Sequence, residues 1–257
     1  MGGFGSFDSK GMSYTLGRWS PSPAVVRGVP FVGFVLLTSL QGTWGEGSRY
    51  WLYLLKTILG TGCIWLMRTW VKEMRWSFSP LAVGAGVLVF LLWVGLDGCY
   101  PSLDTVMSHS VRPLLGKLGM SGMVPEAAKP SALWNPHAAF PESPALAWGF
   151  VVVRLAGSAL VVPPLEEVFY RSFLYRYLAK PDFESIPLGA LRWGPLFLTA
   201  AVFGFSHFEW LPGILCGLIY QALVCRTKRL GDAITAHAIT NLLLGLWIVA
   251  RGDWHYW

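Results

Sequence analysis

The sequence predicts an all-α protein, a polytopic transmembrane helix bundle of about seven spans. Three observations carry that prediction. Hydrophobic residues make up 54% of the chain and charged residues 13%, about half of the roughly 25% charge typical of soluble domains. Apolar runs close to the roughly 20 residues that cross a bilayer recur along its length. Basic residues cluster between alternate runs, as the positive-inside bias requires of a membrane protein.

The elements follow in order. Residues 1–22 open with MGGFGSFDSKGMSYTLGRWS. They are polar and rich in Gly and Ser, and read as a mobile tail without a signal peptide's apolar core and cleavage site. MGGFGS also fits the myristoylation pattern at Gly2 and Ser6, a short pattern with meaning only in a eukaryotic host. Residues 23–257 read as a single membrane domain. Spans are expected near 25–40, 51–66 and 81–96. A long loop follows over 97–144, in which SLDTVMSHSVRPLLGKLGM has the periodicity of a helix lying along the membrane surface. The fourth span runs from about 146 into PPLEEVFYRSFLYRYL, and three more lie near 195–208, 212–224 and 233–250. No internal repeat is visible.

Charge orients these spans. Lys10, Arg18 and Arg27 precede the first; Arg68, Lys72 and Arg75 follow the second. Arg171, Arg176, Lys180 and Arg192 lie between the fourth and fifth, and Arg226, Lys228 and Arg229 follow the sixth. With seven spans all four clusters fall on one face. The expectation is a cytoplasmic N-terminus, a periplasmic or extracellular C-terminus and residence in the cell inner (plasma) membrane. The net charge of +6 is accounted for by this bias, so no nucleic-acid partner is expected. The 14 Trp residues suit membrane-interface belts as well as packing. Cys63, Cys99, Cys216 and Cys225 form no CxxC pair and read as buried free thiols rather than a disulfide framework.

Ionisable residues inside apolar spans are costly and mark function by default. Three groups stand out: Glu166, Glu167 and Arg171; Phe203 and His207; His237 and Asn241. Glu167 and Arg171 are four apart, an orientation that suits an ion pair within one helix. Glu166 points about 100° away around the helix, so it is left without that cation. Poorly solvated carboxylates act as proton acceptors near neutral pH. Pro163 and Pro164 disfavour a straight helix, and a kink there opens room for water beside Glu166. His237 and Asn241 share a helix face. They make a donor pair for an oxyanion, and equally offer one metal ligand and one orienting group. Phe203 stands one turn before His207 and can fix its ring.

Counting about 1.5 Å per residue from positions 178, 195 and 230 puts Glu166 and His207 roughly 18 Å deep, Asn241 roughly 16 Å and His237 roughly 10 Å. The expectation is one cavity, opening towards the cytoplasm. Taken singly, an intramembrane Glu–Arg pair, a packed His or an interhelical Asn is usually structural. Together they place two acids, two histidines and an amide on three spans at comparable depth. His109, His137 and His255 read as solvated.

At these residues the chain resembles the CAAX protease and bacteriocin-processing family, which includes the type II CAAX prenyl endopeptidases. The resemblance rests on EEVFYR (166–171), FGFSH (203–207) and HAITN (237–241), in the family's order, within about 146–250. VPFVGFVLL, WLYLLKT and VFLLWVGLD resemble more specifically a bacterial CAAX prenyl protease-related subgroup associated with exosortase systems. The resemblance implies an intramembrane endopeptidase acting on a membrane-associated protein or peptide. In it Glu166 and His207 activate water, His237 and Asn241 stabilise the oxyanion, and Glu167, Arg171 and Phe203 support the site. No cofactor is favoured. Zinc on Glu166, His207 and His237 is the alternative, without the HExxH spacing of common zinc peptidases. Two other readings stand beside the protease: a non-catalytic membrane scaffold or immunity-like protein, and a proton-coupled transporter, for which the paired broken helices of repeated halves are missing.

Overall fold

A computed structural model describes residues 21–119 and 133–257. Most of the proposed N-terminal tail, with Gly2, Ser6, Lys10 and Arg18, lies outside the described residues. Residues 21 and 22 lead directly into the first helix, where the Ser22 hydroxyl accepts the Val25 amide and Pro23 occupies the first turn, a position that needs no donor.

Among the described residues the chain is helical throughout, without strands. The helices are α1 (Pro23–Ser39), α2 (Glu46–Met67), α3 (Pro80–Gly95), α4 (103–117), a short α5 (Pro136–Ala139), α6 (Pro144–Ala179), α7 (Trp193–Phe205), α8 (Trp210–Thr227) and α9 (Leu230–Arg251). By length and composition α2, α6, α8 and α9 suffice to cross a membrane, while α1, α3 and α7 are shorter apolar helices. These seven correspond in order to the seven expected spans, and α4 falls on the segment whose periodicity predicted it. Their outward faces carry exposed large apolar residues, among them Val29, Leu36, Ile58, Leu91, Val152 and Leu160, as a lipid-facing surface requires.

The described basic clusters gather at one end of the bundle. Arg27 reaches Glu73 at 2.8 Å, and Arg176 reaches the same carboxylate at 3.5 Å. Ser172 also donates to Glu73, at 2.6 Å. Arg229 pairs with Asp232 at 2.9 Å, which in turn accepts the Ser77 hydroxyl at 2.9 Å. The opposite end holds Tyr100, whose hydroxyl donates to Glu209, and Asp97, which accepts from Tyr256 at 2.7 Å.

Close helix packing sets the positions that matter for the site. A Cβ on Gly86 of α3 would lie 2.5 Å from the Ala236 carbonyl of α9. This approach lets Thr240 donate to the Gly86 carbonyl at 2.7 Å, beside a 2.6 Å bond to the Tyr220 hydroxyl of α8. Helix α6 is interrupted twice by π-helical turns, Gly157–Val161 and Val168–Leu174. They flank Pro163 and Pro164, whose missing amide donors break the regular ladder there. Such turns are frequent at functional sites, and here they bracket Glu166 and Glu167. Among the cysteines Cys216 is buried, Cys63 and Cys225 are partly buried, and Cys99 is exposed; all four are free. Cys99 thus departs from the buried-thiol expectation, because it sits beyond the end of α3 rather than within it.

Candidate active site

Glu166 and Glu167, adjacent in sequence, have opposite surroundings. Glu167 is fully buried. One of its oxygens lies 3.1 Å from Arg171 Nε, in ion-pair contact but not aligned as a hydrogen bond. The other accepts from His237 Nδ1 at 2.8 Å. Arg171 is enclosed by rings, with Phe203 at 4.6 Å and Tyr220 at 5.7 Å from its guanidinium carbon. Glu166 is half-buried and faces a cavity of about 480 Å³. Its Oε2 is buried without a hydrogen-bond partner.

His207 lies just beyond the C-terminus of α7. There the last carbonyls have no partner within the helix, and His207 Nδ1 donates to the Phe203 carbonyl at 2.7 Å. Phe203 and Trp93 pack on the ring at 4.6 and 5.7 Å between centroids. A carbonyl only accepts, so Nδ1 holds the proton and Nε2 is left as an acceptor. The same reasoning fixes His237: with Nδ1 given to the Glu167 carboxylate, its Nε2 accepts in the neutral ring and donates only in the imidazolium. Asn241 donates one amide hydrogen to the Ser158 carbonyl at 2.8 Å, tying α9 to α6 and leaving the second.

Glu166, His207, His237 and Asn241 all line the one cavity, together with Phe203. Glu167 and Arg171 support it from behind. The association of His237 with Glu167 was not foreseen, since those residues are 70 positions apart.

The cavity reaches the end of the bundle away from the basic clusters, not the basic end at which the depth count placed its opening. Its outer lining is Ser39, Phe208, Glu209, His255 and Tyr256, all at the end away from the basic clusters. The depth count contains the reason. Roughly 18 Å from the basic end is more than half of a hydrocarbon core of about 30 Å, so the shorter way out is the other one. His255, exposed as expected, stands on this rim with Nε2 3.3 Å from Asp97, and the partly buried His137 packs against Trp148 at 5.0 Å. Besides Glu209, two cations line the cavity without having been singled out: Lys56 and Arg154. Each is a lone charge in an apolar run, the signal that marked Glu166.

The donor types Glu, His and His suit zinc. Among the described residues no three His, Cys, Asp or Glu side chains stand close enough together to hold a metal ion, while the bond from His237 Nδ1 to Glu167 leaves Nε2 open.

A membrane-sized helical bundle with a buried Glu–His–Arg cluster behind a Glu/His-lined cavity defines the class: a polytopic helical membrane protein. Residues 147–243 match the family described as Rce1-like, type II CAAX prenyl endopeptidase. The matched segment contains all three motifs, and with the apolar helices it supports an intramembrane endopeptidase in general. No curated protein and no solved structure matches the chain.

Proposed function

We propose that this protein hydrolyses a peptide bond of a membrane-associated protein or peptide, with Glu166 as the general base. One observation carries the proposal: Glu166, His207, His237 and Asn241, from three different helical segments, line a single cavity while the neighbouring Glu167 is withdrawn into an ion cluster.

Peptide hydrolysis needs an activated water and relief of charge on the tetrahedral oxyanion. The Glu166 carboxylate, which lines the cavity, takes a proton from water while the water oxygen bonds to the scissile carbonyl carbon. His207 offers an unprotonated Nε2 as a second acceptor to orient that water. His237, oriented through Nδ1 by the Glu167 carboxylate, donates to the oxyanion through Nε2 in its doubly protonated form. The free amide hydrogen of Asn241 supplies a second donor. The proton held by Glu166 then passes to the departing amine as the C–N bond breaks.

The cluster's gathering of basic residues at one end supports a cytoplasmic placement of that end. The cavity then opens to the extracytoplasmic side of the membrane, and its substrate arrives there or within the outer half of the bilayer. The decisive experiment compares membrane fractions from cells carrying wild type or Glu166→Gln by mass spectrometry. Substrates should accumulate uncleaved in the variant. Identical peptide termini in both, at equal protein levels, would refute the reading.

A further inference from the structure

His207 belongs to neither neighbouring helix. Helix α7 ends at Phe205 and α8 begins at Trp210, so the histidine is carried on a short link, 206–209, in which Phe208 is almost fully exposed. The helices on either side are fixed against each other: a Cβ on Gly204 would fall 2.4 Å from Ile214 and 2.7 Å from the Trp210 carbonyl. The link itself has less to rest on. Ser206 Oγ and His207 Nδ1 both donate to the Phe203 carbonyl, each at 2.7 Å. Both bonds stay within one turn of chain, so neither ties the link to another element.

That tie comes from α3 and the turn after it. Trp93 packs on the His207 ring at 5.7 Å. Gly98 takes a φ of 70°, a left-handed value that glycine adopts without strain, and the chain returns so that Tyr100 donates to the Glu209 carboxylate. The Tyr100 ring meets Trp210 edge-on at 5.6 Å, and Trp210 Nε1 donates to the Pro101 carbonyl at 3.0 Å. Burial, then the hydrogen bond and charge of Glu209, push the Tyr100 hydroxyl well above its usual range. The proton therefore stays on the phenol, and Tyr100 is the donor. Hydrogen bonds to a carboxylate belong to the strong class. The link is thus fastened two and three residues after His207 to an element whose only side chain in the cavity is Trp93.

We propose that Tyr100 and Glu209 are positioning residues for His207: their bond clasps the α7–α8 link to the turn after α3 and holds the imidazole with its proton on Nδ1 and Nε2 open as an acceptor. Neither side chain touches a reacting atom in this role. Which nitrogen of a histidine carries the proton is set by the bond that the other side of the ring makes. Without the clasp the link swings about its two helix ends, water competes for the Phe203 carbonyl, and the two tautomers mix. The proposal rests on the peptidase reading only for the use made of Nε2, because the state of the ring is measurable without a substrate.

Ring-nitrogen NMR spectra of histidine-labelled, full-length protein in phosphatidylcholine nanodiscs test this, with His207 assigned by the signals lost in His207→Gln. At about pH 8.5, where an ordinary imidazole is neutral, wild type should show His207 as a single Nδ1–H tautomer. Tyr100→Phe, which keeps the ring against Trp210, and Glu209→Ala should each give mixed tautomers while the His237 signals stay unchanged. Glu209→Gln keeps an acceptor for the phenol and should preserve most of the wild-type pattern. The double variant should be no worse than either single change, because the same bond is lost in all three. Hydrogen exchange at 206–210 should quicken about tenfold or more in Tyr100→Phe, with 193–203 unchanged, as local release without unfolding requires. On substrates found by comparing wild type with Glu166→Gln, the single variants should lower kcat about tenfold or more at nearly constant KM, the effect of a misplaced catalytic group. A clasp-dependent tautomer in a protein that cleaves nothing supports the clasp and sinks the peptidase reading. An unchanged His207 spectrum in both Tyr100→Phe and Glu209→Ala overturns the proposal. So does additive loss in the double variant, or faster exchange across 193–203 as well, which would make the bond one of general stability.

Discussion

The two adjacent glutamates separate function from support. Glu166→Gln removes the cavity-lining carboxylate while leaving size and packing nearly unchanged. Hydrolysis should vanish, with thermal stability in detergent within a degree or two of wild type. Glu167→Gln leaves Arg171 and the His237 proton facing a neutral amide in a buried cluster. Breaking such a cluster costs about 3–5 kcal/mol, so its melting temperature should fall clearly. A Glu167→Gln, Arg171→Met double variant should recover part of that loss, but not His237's orientation, so it should be stable and poorly active. If Glu166→Gln is the destabilising member, the assigned roles are reversed. Asn241→Ala should lower turnover roughly 10²–10³-fold, as loss of an oxyanion donor does. It should also cost about 1 kcal/mol from the lost bond to the Ser158 carbonyl. A turnover loss explained wholly by a lower folded fraction would assign Asn241 to structure alone.

At the scale of elements, much was legible in the sequence. Apolar run length located all seven membrane-sized or shorter apolar helices, because lipid imposes a composition that soluble packing does not. The i, i+4 spacing of Glu167 and Arg171 gave their pairing. It could not give the bond from Glu167 to His237 or from Asn241 to Ser158, since both depend on how α6 and α9 are brought together. That in turn depends on glycines whose role is invisible until a neighbouring backbone is seen. Gly86 is the clearest case. A side chain there meets the Ala236 carbonyl one residue before His237, and overpacking of this kind costs about 1–3 kcal/mol. Gly86→Val should therefore lower the melting temperature. It should also reduce activity in the fraction that remains folded, because α9 carries both His237 and Asn241. Full specific activity in folded Gly86→Val would show that the α3–α9 contact does not set the site.

At the scale of the whole molecule the two ends differ in chemistry, and each difference predicts behaviour. At the basic end, burial disfavours the Glu73 charge, but the Ser172 hydroxyl, its own backbone amide and Arg27 outweigh that effect and hold the carboxyl below its usual range. A carboxyl depressed in the folded state contributes stability that is fully present above its unfolded value near 4.3. That contribution is lost as pH falls through the lower folded value. Melting temperature should therefore decline below about pH 4.5, and Glu73→Gln should be less stable at neutral pH while losing part of that decline. A wild-type-like acid profile in Glu73→Gln would remove Glu73 as its source.

The opposite end decides which side of the membrane the site serves. The sequence pointed the mouth at the basic end because depth was measured from there, and a depth alone does not say which way a cavity opens. The structure supplies what was missing: α7 spans only about 20 Å, so the chain turns at His207 and leaves an opening bordered by Phe208 and Glu209. Cys99, exposed beyond α3, stands at this end, as the Tyr100–Glu209 bond shows. It is a native reporter of the mouth's side. In intact cells, or spheroplasts where an outer barrier exists, a membrane-impermeant maleimide should label wild type, and Cys99→Ser should abolish that labelling. In the Cys99→Ser background a cysteine at the basic end, Lys180→Cys, should stay unlabelled until the membrane is opened. A cysteine at Phe208, which is 91% exposed, should label at once. If Lys180→Cys labels in sealed cells while Phe208→Cys does not, the bundle is inverted. The cavity then serves the cytoplasmic face, and the four basic clusters lie outside against their usual bias.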